Sequence, residues 1–279
     1  MTVARADLLV EIGSEELPPR SLRELGEAFA AGIRQGLEAA GLGHGGLEWF
    51  ATPRRLAVLA REVPANQPPQ LVEKRGPPLA VAFDAGGNPT RAAQAFADGL
   101  GVTVAALERL TTPKGSWLHY RAEQPGRPTA ALVPDIVAAA LAALPIARRM
   151  RWGDGDTEFV RPVHWVVLLH GAEIIDAAIL GVAAGRTTEG HRFHGRGPHP
   201  LATAADYPRV LLEQGRVIAD FATRRARVLD VVSTAARTLG GTAVLDDALL
   251  DEVTALVEWP VPVTGRLPGE FLRLPEAVL

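Results

Sequence analysis

The sequence contains no cysteine, and only 5% of its 279 residues are aromatic. Without cysteine the chain can form no disulfide, no zinc–thiolate site and no thiol nucleophile, and the absence fits a reducing compartment. Long apolar runs are also missing: residues 136–146 are alanine-rich and fewer than the roughly 18–20 that cross a bilayer. The N-terminal stretch MTVARADLLVEIG has too short an apolar run for a signal peptide. We therefore expect a cytoplasmic protein with no membrane partner.

An excess of positive charge is missing too, since 29 basic residues oppose 32 acidic ones and the formal net charge is −3. Proteins that bind nucleic acid over a whole face are usually basic. Any contact with a nucleic acid must therefore be made by local patches of arginine and lysine.

Familiar catalytic motifs are also absent: there is no glycine-rich phosphate loop ending in Gly-Lys-Ser/Thr and no Gly-x-Ser-x-Gly nucleophile elbow. The carboxylate pair Glu15-Glu16 follows an apolar run and precedes Pro18-Pro19. This spacing favours a charged turn between a strand and a helix, with one acid near the helix N-terminus, where the helix dipole favours negative charge. No catalytic residue is predicted.

The hydrophobic pattern predicts an α+β fold: a mixed or antiparallel sheet body with packed helices over residues 1–200, then a mostly helical section over 201–279. A further division near residues 64–90 would split the body into two subdomains. Predicted strands are 6–13, 47–50, 55–63, 117–122, 160–169 and 173–180, with another at 186–193. Predicted helices are 21–37, 91–100, 104–110, 128–144, 217–239 and 246–258, with a short one opening at Asp206. Ser21 and Glu24 are predicted to form a capping box, and residues 64–78 a proline-rich loop.

The strongest basic cluster is ARRMRWG, which contains Arg148, Arg149, Arg151 and Trp152 and is followed by Arg161. Arginine beside an aromatic ring suits a backbone phosphate and a stacked base. The same cations would also stabilise the C-terminal end of the preceding helix through its dipole. Both interpretations stay open at this point.

A second cluster, GHRFHGRGPHP, combines His191, Arg192, His194, Arg196 and His199. Three imidazoles could bind a metal in principle. No carboxylate accompanies them, however, and the glycines and proline of the segment prevent a helix that would align them, so no metal site is predicted. The alternatives are a basic strand and turn with two exposed histidines, or a phosphate contact that uses the arginines and the backbone N–H groups around glycine.

Two smaller basic pairs are further candidates. Arg54 and Arg55 follow a proline, and Lys74 and Arg75 lie in the predicted loop. Three arginines of the long C-terminal helix are interpreted as a solvated face, and three tryptophans as core residues; they are Arg224, Arg225, Arg227, Trp152, Trp165 and Trp259.

Several strings follow one another in an order and spacing that closely resemble the N-terminal part of the bacterial glycyl-tRNA synthetase beta subunit. They include LLVEIGSEELPPRSL, EWFATPRRLAV, LERLTTPKGSWLHYRAEQPG, LPIARRMRWGDGDTEFVRPVHWVVLLHG and ILGVAAGRTTEGHRFHG. The resemblance covers essentially the whole chain. In the family, HD-like and anticodon-binding regions follow this part, so we expect a fragment, which agrees with the apolar, uncapped ending FLRLPEAVL.

The resemblance implies a glycine–tRNA ligase built as an alpha2beta2 tetramer, with class II chemistry, ATP and Mg²⁺ on the alpha subunit and tRNA mainly on the beta subunit. This chain would then be a non-catalytic, cofactor-free part that contacts tRNA and supports assembly, with no DNA partner. The candidate contacts are Arg148, Arg149, Arg151, Trp152, Arg161, His191, Arg192, Arg54, Arg55, Lys74 and Arg75. The alternative is a docking module for the alpha subunit without RNA contact. An editing hydrolase is disfavoured, because glycine needs no size-based sieve.

Overall fold

The computed structural model describes residues 4–195, 197–273 and 275. These residues form two compact units, one made by the segments up to Ala65 and from Thr129 onward, the other by Asn66–Pro128. Neither unit begins or ends at residue 200, where the sequence suggested a boundary. The predicted α+β class is confirmed, since both units combine antiparallel strands with packed helices.

Fourteen strands lie within the described residues: β1 (Arg5–Ser14), β2 (Gly46–Thr52), β3 (Arg55–Pro64), β4 (Gln70–Pro78), β5 (Glu108–Thr112), β6 (Gly115–Gln124), β7 (Met150–Arg151), β8 (Glu158–Phe159), β9 (Val163–His170), β10 (Glu173–Ile174), β11 (Ala178–Ile179), β12 (Val182–Gly185), β13 (Thr187–Glu189) and β14 (Pro198–Pro200). The helices there are α1 (Leu22–Ala39), α2 (Leu79–Ala82), α3 (Arg91–Asp98), α4 (Val133–Ala142), α5 (Tyr207–Glu213), α6 (Phe221–Thr238) and α7 (Asp247–Leu256). None of these helices is both long and apolar enough to span a bilayer.

The larger unit is built on a sheet in the order β11-β12-β9-β1-β3-β2, with β10 also paired to β9. Strand β1 lies in its middle and pairs antiparallel with both β3 and β9, while β12 runs parallel to β9. Alternate β1 residues point to opposite faces. Leu8, Val10 and Ile12 pack with α1 and α4, whereas Leu9 packs with Tyr207 of α5. Helices therefore cover both faces of this sheet.

Helix α1 follows directly from the sequence pattern. Leu22, Leu25, Phe29, Ile33 and Leu37 recur at steps of three and four residues, and all five are buried. The predicted capping box at its start is wrong. The N-cap residue, Ser21, has a helical backbone, and its side chain makes no cap bond. Its N–H, which Glu24 would accept in a capping box, is bonded to the carbonyl of Pro18 instead.

Three other local predictions are corrected by pairing between distant segments. The predicted loop 64–78 contains strand β4, which pairs antiparallel with β6 in the smaller unit. The predicted helix 104–110 is a short 3-10 turn followed by β5, the other neighbour of β6. The predicted strand 173–180 is interrupted and forms β10 and β11, because the chain turns back to lay β12 beside β9. Backbone pairing over this distance leaves no local pattern.

The C-terminal part of the larger unit contains the short helix that Asp206 was predicted to open, and then α6 and α7. Helix α6 begins four residues later than predicted, at Phe221, where Asp220 accepts a hydrogen bond from the Thr223 N–H. The prediction of a solvated face is wrong for Arg224, which is fully buried. Its guanidinium donates to the backbone oxygens of Ala51, Ile218 and other residues, and burial lowers its pKa to about 10.

A second buried arginine, Arg55, lies at the start of β3 and links distant parts of the unit. Its guanidinium donates to Glu11 Oε1 over 3.0 Å and to Glu258 Oε1 over 3.2 Å. Thr188 and Tyr207 donate to the same Glu11 oxygen over 2.8 and 2.9 Å. Burial alone would lower the pKa of Arg55, but the Glu258 and Glu11 carboxylates outweigh it and raise this pKa. Burial raises the pKa of Glu11, and Arg55 opposes that change.

We predict that Arg55→Met destabilises the larger unit by about 3–5 kcal/mol, because it leaves the buried Glu11 and Glu258 carboxylates without their cation. Denaturant unfolding followed by tryptophan fluorescence measures the loss. The matched control is Arg227→Met, which removes a surface ion pair with Asp230 that contributes at most about 1 kcal/mol. Equal losses in the two variants would contradict this account of the network.

Candidate nucleic-acid interface

The predicted cluster around His191 forms a tight turn that holds an aromatic ring in solvent. His191 Nδ1 accepts hydrogen bonds from the backbone N–H groups of Phe193 and His194, over 3.1 and 3.2 Å. The Gly195 N–H donates to the His191 carbonyl over 2.8 Å and closes the turn. Phe193 at the tip is 83% exposed. The turn is therefore fixed by hydrogen bonds while its largest apolar side chain is left unpacked.

The turn around Arg216 connects the His191 turn to the segment after α7 through two backbone hydrogen bonds. The His191 N–H donates to the Gly215 carbonyl over 2.7 Å, and the Ile218 N–H donates to the Glu258 carbonyl over 3.0 Å. Between them Arg216 adopts a left-handed backbone with φ of 54°, a conformation that is costly for a residue other than glycine. This conformation places its guanidinium 5.4 Å from the centre of the Trp259 ring.

These segments enclose a cleft of about 200 Å³. Its lining comes from three parts of the larger unit, namely the strand ends near Pro53, the His191 turn and the segment after α7; it comprises Glu16, Pro53, Arg54, His191, Arg192, Phe193, Leu256, Val257, Glu258 and Trp259. We call it the Phe193 cleft. Two arginines and two aromatic rings thus converge on one small surface, a combination that suits phosphate and base contacts.

Arg54 is a half-buried candidate that lines this cleft. Its guanidinium stacks 5.4 Å from the centre of the Trp165 ring. Burial lowers its pKa, the Glu258 carboxylate opposes this change, and the neighbouring Arg192 adds to it. The Nε atom is buried without a hydrogen-bond partner among the described residues. An arginine stays charged in this setting, so Arg54 brings positive charge to the cleft wall.

The acid–histidine–arginine contact beside the cleft was not predicted. Glu15 Oε1 lies 2.9 Å from His164 Nε2, and Glu15 Oε2 accepts from Arg192 over 3.1 Å. Slight burial raises the pKa of Glu15, but the hydrogen bonds from Arg192 and His164 outweigh it and lower this pKa. Glu15 therefore orients the guanidinium of Arg192 and the imidazole of His164. Glu16 is exposed and makes no such contact through its side chain among the described residues.

The first basic cluster reaches the same region through Arg161. Its Nε donates to the backbone carbonyl of Glu16 over 3.0 Å, and Glu16 also lines the Phe193 cleft. On its other side Arg161 lines a second cleft, of about 290 Å³, together with Arg148. Arg148 is exposed and has no hydrogen-bond or ion-pair partner among the described residues. The two predicted basic clusters therefore lie on adjacent clefts of one unit.

The other members of the first cluster have local partners. Arg149 donates to the Ala142 carbonyl over 3.0 Å at the end of α4, as the helix-end interpretation of this cluster anticipated. Arg151 pairs with Asp156 across the short β7–β8 hairpin over 3.2 Å. Trp152 is half-buried against the hydrophobic core. These contacts favour a structural role for the three side chains, and their role as tRNA contacts stays a prediction.

The remaining candidates are Arg55 and the pair Lys74 and Arg75, and their surroundings differ. The prediction for Arg55 is wrong, because its side chain is 0% exposed and is held between two carboxylates, so it presents no donor to a surface ligand. Lys74 and Arg75 lie on β4 in the smaller unit. Arg75 stacks on Trp117 at 5.0 Å, and Lys74 lines a cleft that also contains Tyr120. Their role as contacts stays a prediction.

The histidines of the second cluster do not converge. The His191 and His194 rings lie 4.5 Å apart, whereas His199 is buried in β14 and its Nε2 lacks a partner among the described residues. Within the described ranges, no three side chains of the metal-ligating types come together. Arg196, the other arginine predicted for a phosphate contact, lies outside the described residues.

Sequence reasoning missed the residues that complete the cleft. In the sequence, Phe193 follows His191 and Arg192 and precedes His194. An aromatic residue within a basic string was the signal that could have identified it as part of the site. Trp259, predicted as a core residue, is half-buried beneath Arg216, while Trp165 is buried as predicted.

Comparison with known proteins settles the family. A family model described as "Glycyl-tRNA synthetase beta subunit" matches residues 8–279. The chain belongs to this family. Glycine–tRNA ligase beta subunits are similar over almost its entire length: that of Edwardsiella ictaluri (strain 93-146) is 53% identical over 97% of this chain and 39% of the relative. That of Marinobacter nauticus is 51% identical over 99% of this chain and 40% of the relative, and that of Vibrio cholerae serotype O1 (strain ATCC 39541 / Classical Ogawa 395 / O395) is 50% identical over 98% and 40%.

The resemblance inferred from the sequence strings is thereby confirmed. This member of the glycyl-tRNA synthetase beta-subunit family spans about 40% of the length of the curated relatives it matches.

We predict that the His191 turn depends on an unprotonated Nδ1. Burial lowers the pKa of His191, so the turn is fully stabilised above the ordinary histidine pKa and loses this contribution as pH falls through the lowered pKa. Amide hydrogen exchange of Phe193 and His194, corrected for intrinsic rates, should therefore accelerate on acidification.

His191→Ala should accelerate the same exchange at neutral pH, whereas His191→Asn should retain protection, because the asparagine oxygen can accept at the position of Nδ1. Equal protection in the wild type and the alanine variant would show that the imidazole does not hold the turn.

Proposed function

We propose that this protein acts in the attachment of glycine to its tRNA, as a non-catalytic part of the beta subunit of glycine–tRNA ligase. Its family membership supports this, as does the name glycine–tRNA ligase beta subunit carried by each of the relatives. The partners would be the alpha subunit, in an alpha2beta2 assembly that carries class II chemistry, ATP and Mg²⁺, and the tRNA for glycine. The lack of cysteine fits a cytoplasmic setting.

We further propose that the two adjacent clefts of the larger unit contact tRNA. The observation that carries this is the convergence of exposed or partly exposed cations, Arg148, Arg161, Arg54 and Arg192, on neighbouring clefts of a protein whose net charge is −3. Such a patch can neutralise a few phosphates without attracting polyanions over the whole surface. Structured RNA is bound largely through its backbone and 2′-hydroxyls, which suits arginine donors.

The alternative function is docking of the alpha subunit without RNA contact. Several large apolar side chains of the C-terminal part are exposed, including Val244, Leu256, Val261, Val263 and Leu267. They favour a protein contact for that part of the chain, and one of them, Leu256, also lines the Phe193 cleft. The two functions are separable by experiment.

Charge reversal tests the tRNA contact in the assembled ligase. We expect Arg148→Glu with Arg192→Glu to raise the KM for tRNA severalfold, to leave the KM for glycine unchanged, and to reduce the salt dependence of tRNA binding by about one unit of slope per lost phosphate contact. Arg227→Glu with Arg237→Glu, both on α6, makes the same change of −4 in net charge and is the control. A KM for tRNA that matches the control would remove these clefts from the RNA path.

The carboxylates of the first turn provide a second test. Because Glu15 only orients Arg192 and His164, and Glu16 is exposed, we expect Glu15→Gln with Glu16→Gln to retain aminoacylation, with a modest change in the KM for tRNA. Steady-state kinetics of the assembled ligase measures this. Loss of turnover in a stable, fully assembled double variant would instead make the pair part of the chemistry.

A further inference from the structure

The Phe193 cleft contains a feature that backbone binding does not use. Phe193 is the most exposed of the phenylalanines in the described residues, and its neighbours hold it in place through the His191 bonds rather than through apolar packing. A single exposed apolar side chain is ordinary on a protein surface. This one is unusual because its backbone is fixed in a closed turn and cations flank it. The fold thus presents an aromatic face at a defined position.

The surroundings of the ring match one kind of ligand. Arg192 is adjacent in the turn and Arg54 lines the same cleft. Trp259, with Arg216 against its ring, lines the cleft too. A nucleotide offers both an apolar planar base and a negatively charged phosphate. Aromatic rings beside arginines bind single-stranded nucleic acid in this way, with limited dependence on base identity.

Of the carboxylates near the cleft, Glu258 and Glu15 are paired, whereas Glu16 lines it as an exposed acid without an ion-pair partner among the described residues. Glu258 lines it, but its Oε1 atom accepts from Thr52 over 2.6 Å and from the buried Arg55 over 3.2 Å. Glu15 is engaged by Arg192 and by His164. Arg54, by contrast, has no ion-pair partner within 4 Å among the described residues. A peptide carboxylate could use these arginines, but the exposed Phe193 ring and the planar Trp259 wall favour a base.

We propose that the Phe193 cleft holds one unpaired nucleotide of a structured RNA, with the base stacked on Phe193 and its phosphate bound by Arg54 and Arg192. This inference rests on the proposed function, since the RNA would be the tRNA, and it adds a specific subsite for an unpaired residue. Double-stranded regions would contact the cationic clefts without using the ring, because bases in a helix are stacked on each other.

The experiment compares three RNA hairpins with the same stem: one blunt, one with a short single-stranded 3′ overhang, and one whose overhang is abasic. We expect the wild-type protein to bind the normal overhang about tenfold more tightly than the blunt stem, as one stacked base contributes. The abasic overhang should lose most of this gain, although it keeps the phosphates.

Variants of the ring complete the test. Phe193→Ala and Phe193→Leu should abolish the preference for the normal overhang and leave affinity for the blunt stem unchanged, whereas Phe193→Trp should retain the preference. Arg54→Gln should weaken binding of both the normal and the abasic overhang, because it removes a phosphate contact.

The outcomes separate this inference from the function on which it rests. If the blunt stem binds in a way that depends on Arg148 and Arg192 but the abasic and normal overhangs bind equally, the nucleotide subsite is refuted and the tRNA contact stands. If no hairpin binds, both are refuted. If Phe193→Ala lowers recovery of the alpha subunit with the protein and leaves RNA affinity unchanged, the ring belongs to a protein interface, and the subsite is again refuted.

Discussion

The buried guanidinium of Arg55 constrains the fold of the larger unit, because a buried charge has to be matched by partners of opposite charge. Those partners come from the two ends of the unit: Glu11 lies in the central strand, and Glu258 follows the last α-helix. The segment that carries Glu258 must therefore return to the start of β3. Since Trp259 is the next residue, the ion pair also sets one wall of the Phe193 cleft, and Arg54 is placed on the wall beside it.

The elements whose stability is local were predictable from the sequence, and those that depend on distant partners were not. Helix α1 carries its pattern within one segment, so its five buried positions were readable. Arg54 and Arg55 look alike in a sequence, yet Arg55 begins β3 and is buried between two carboxylates, whereas Arg54 lies in the turn before it and lines the cleft. Arg224 was misjudged because the carbonyls that it satisfies, on Ala51 and Ile218, approach it only in the folded chain.

In the candidate site, too, the local clusters were predictable and the contacts between distant residues were not. Composition located both basic clusters, because arginine, histidine and tryptophan are informative wherever they concentrate. It could not show that Arg161 bonds to the Glu16 backbone and so brings the two clusters to adjacent clefts. It could not show either that Glu15 of the first turn contacts Arg192, which is 177 positions away. The Glu15-Glu16 pair is indeed a turn between a strand and a helix, and one member also orients a cation of the cleft.

A chain with a net charge of −3 can still present local positive charge where acids are paired with other groups of the protein, as two of them are near the Phe193 cleft. Glu258 lines the cleft, but its carboxylate is paired with the buried Arg55. The Glu15 carboxylate is paired with Arg192 and His164. Arg54 and Arg148 retain positive charge with no ion-pair partner among the described residues. Because screening limits surface fields to about 8–10 Å at physiological salt, a phosphate at the clefts responds to this local set far more than to the total charge. The same buried network that stabilises the unit thus pairs one of the carboxylates that line the cleft.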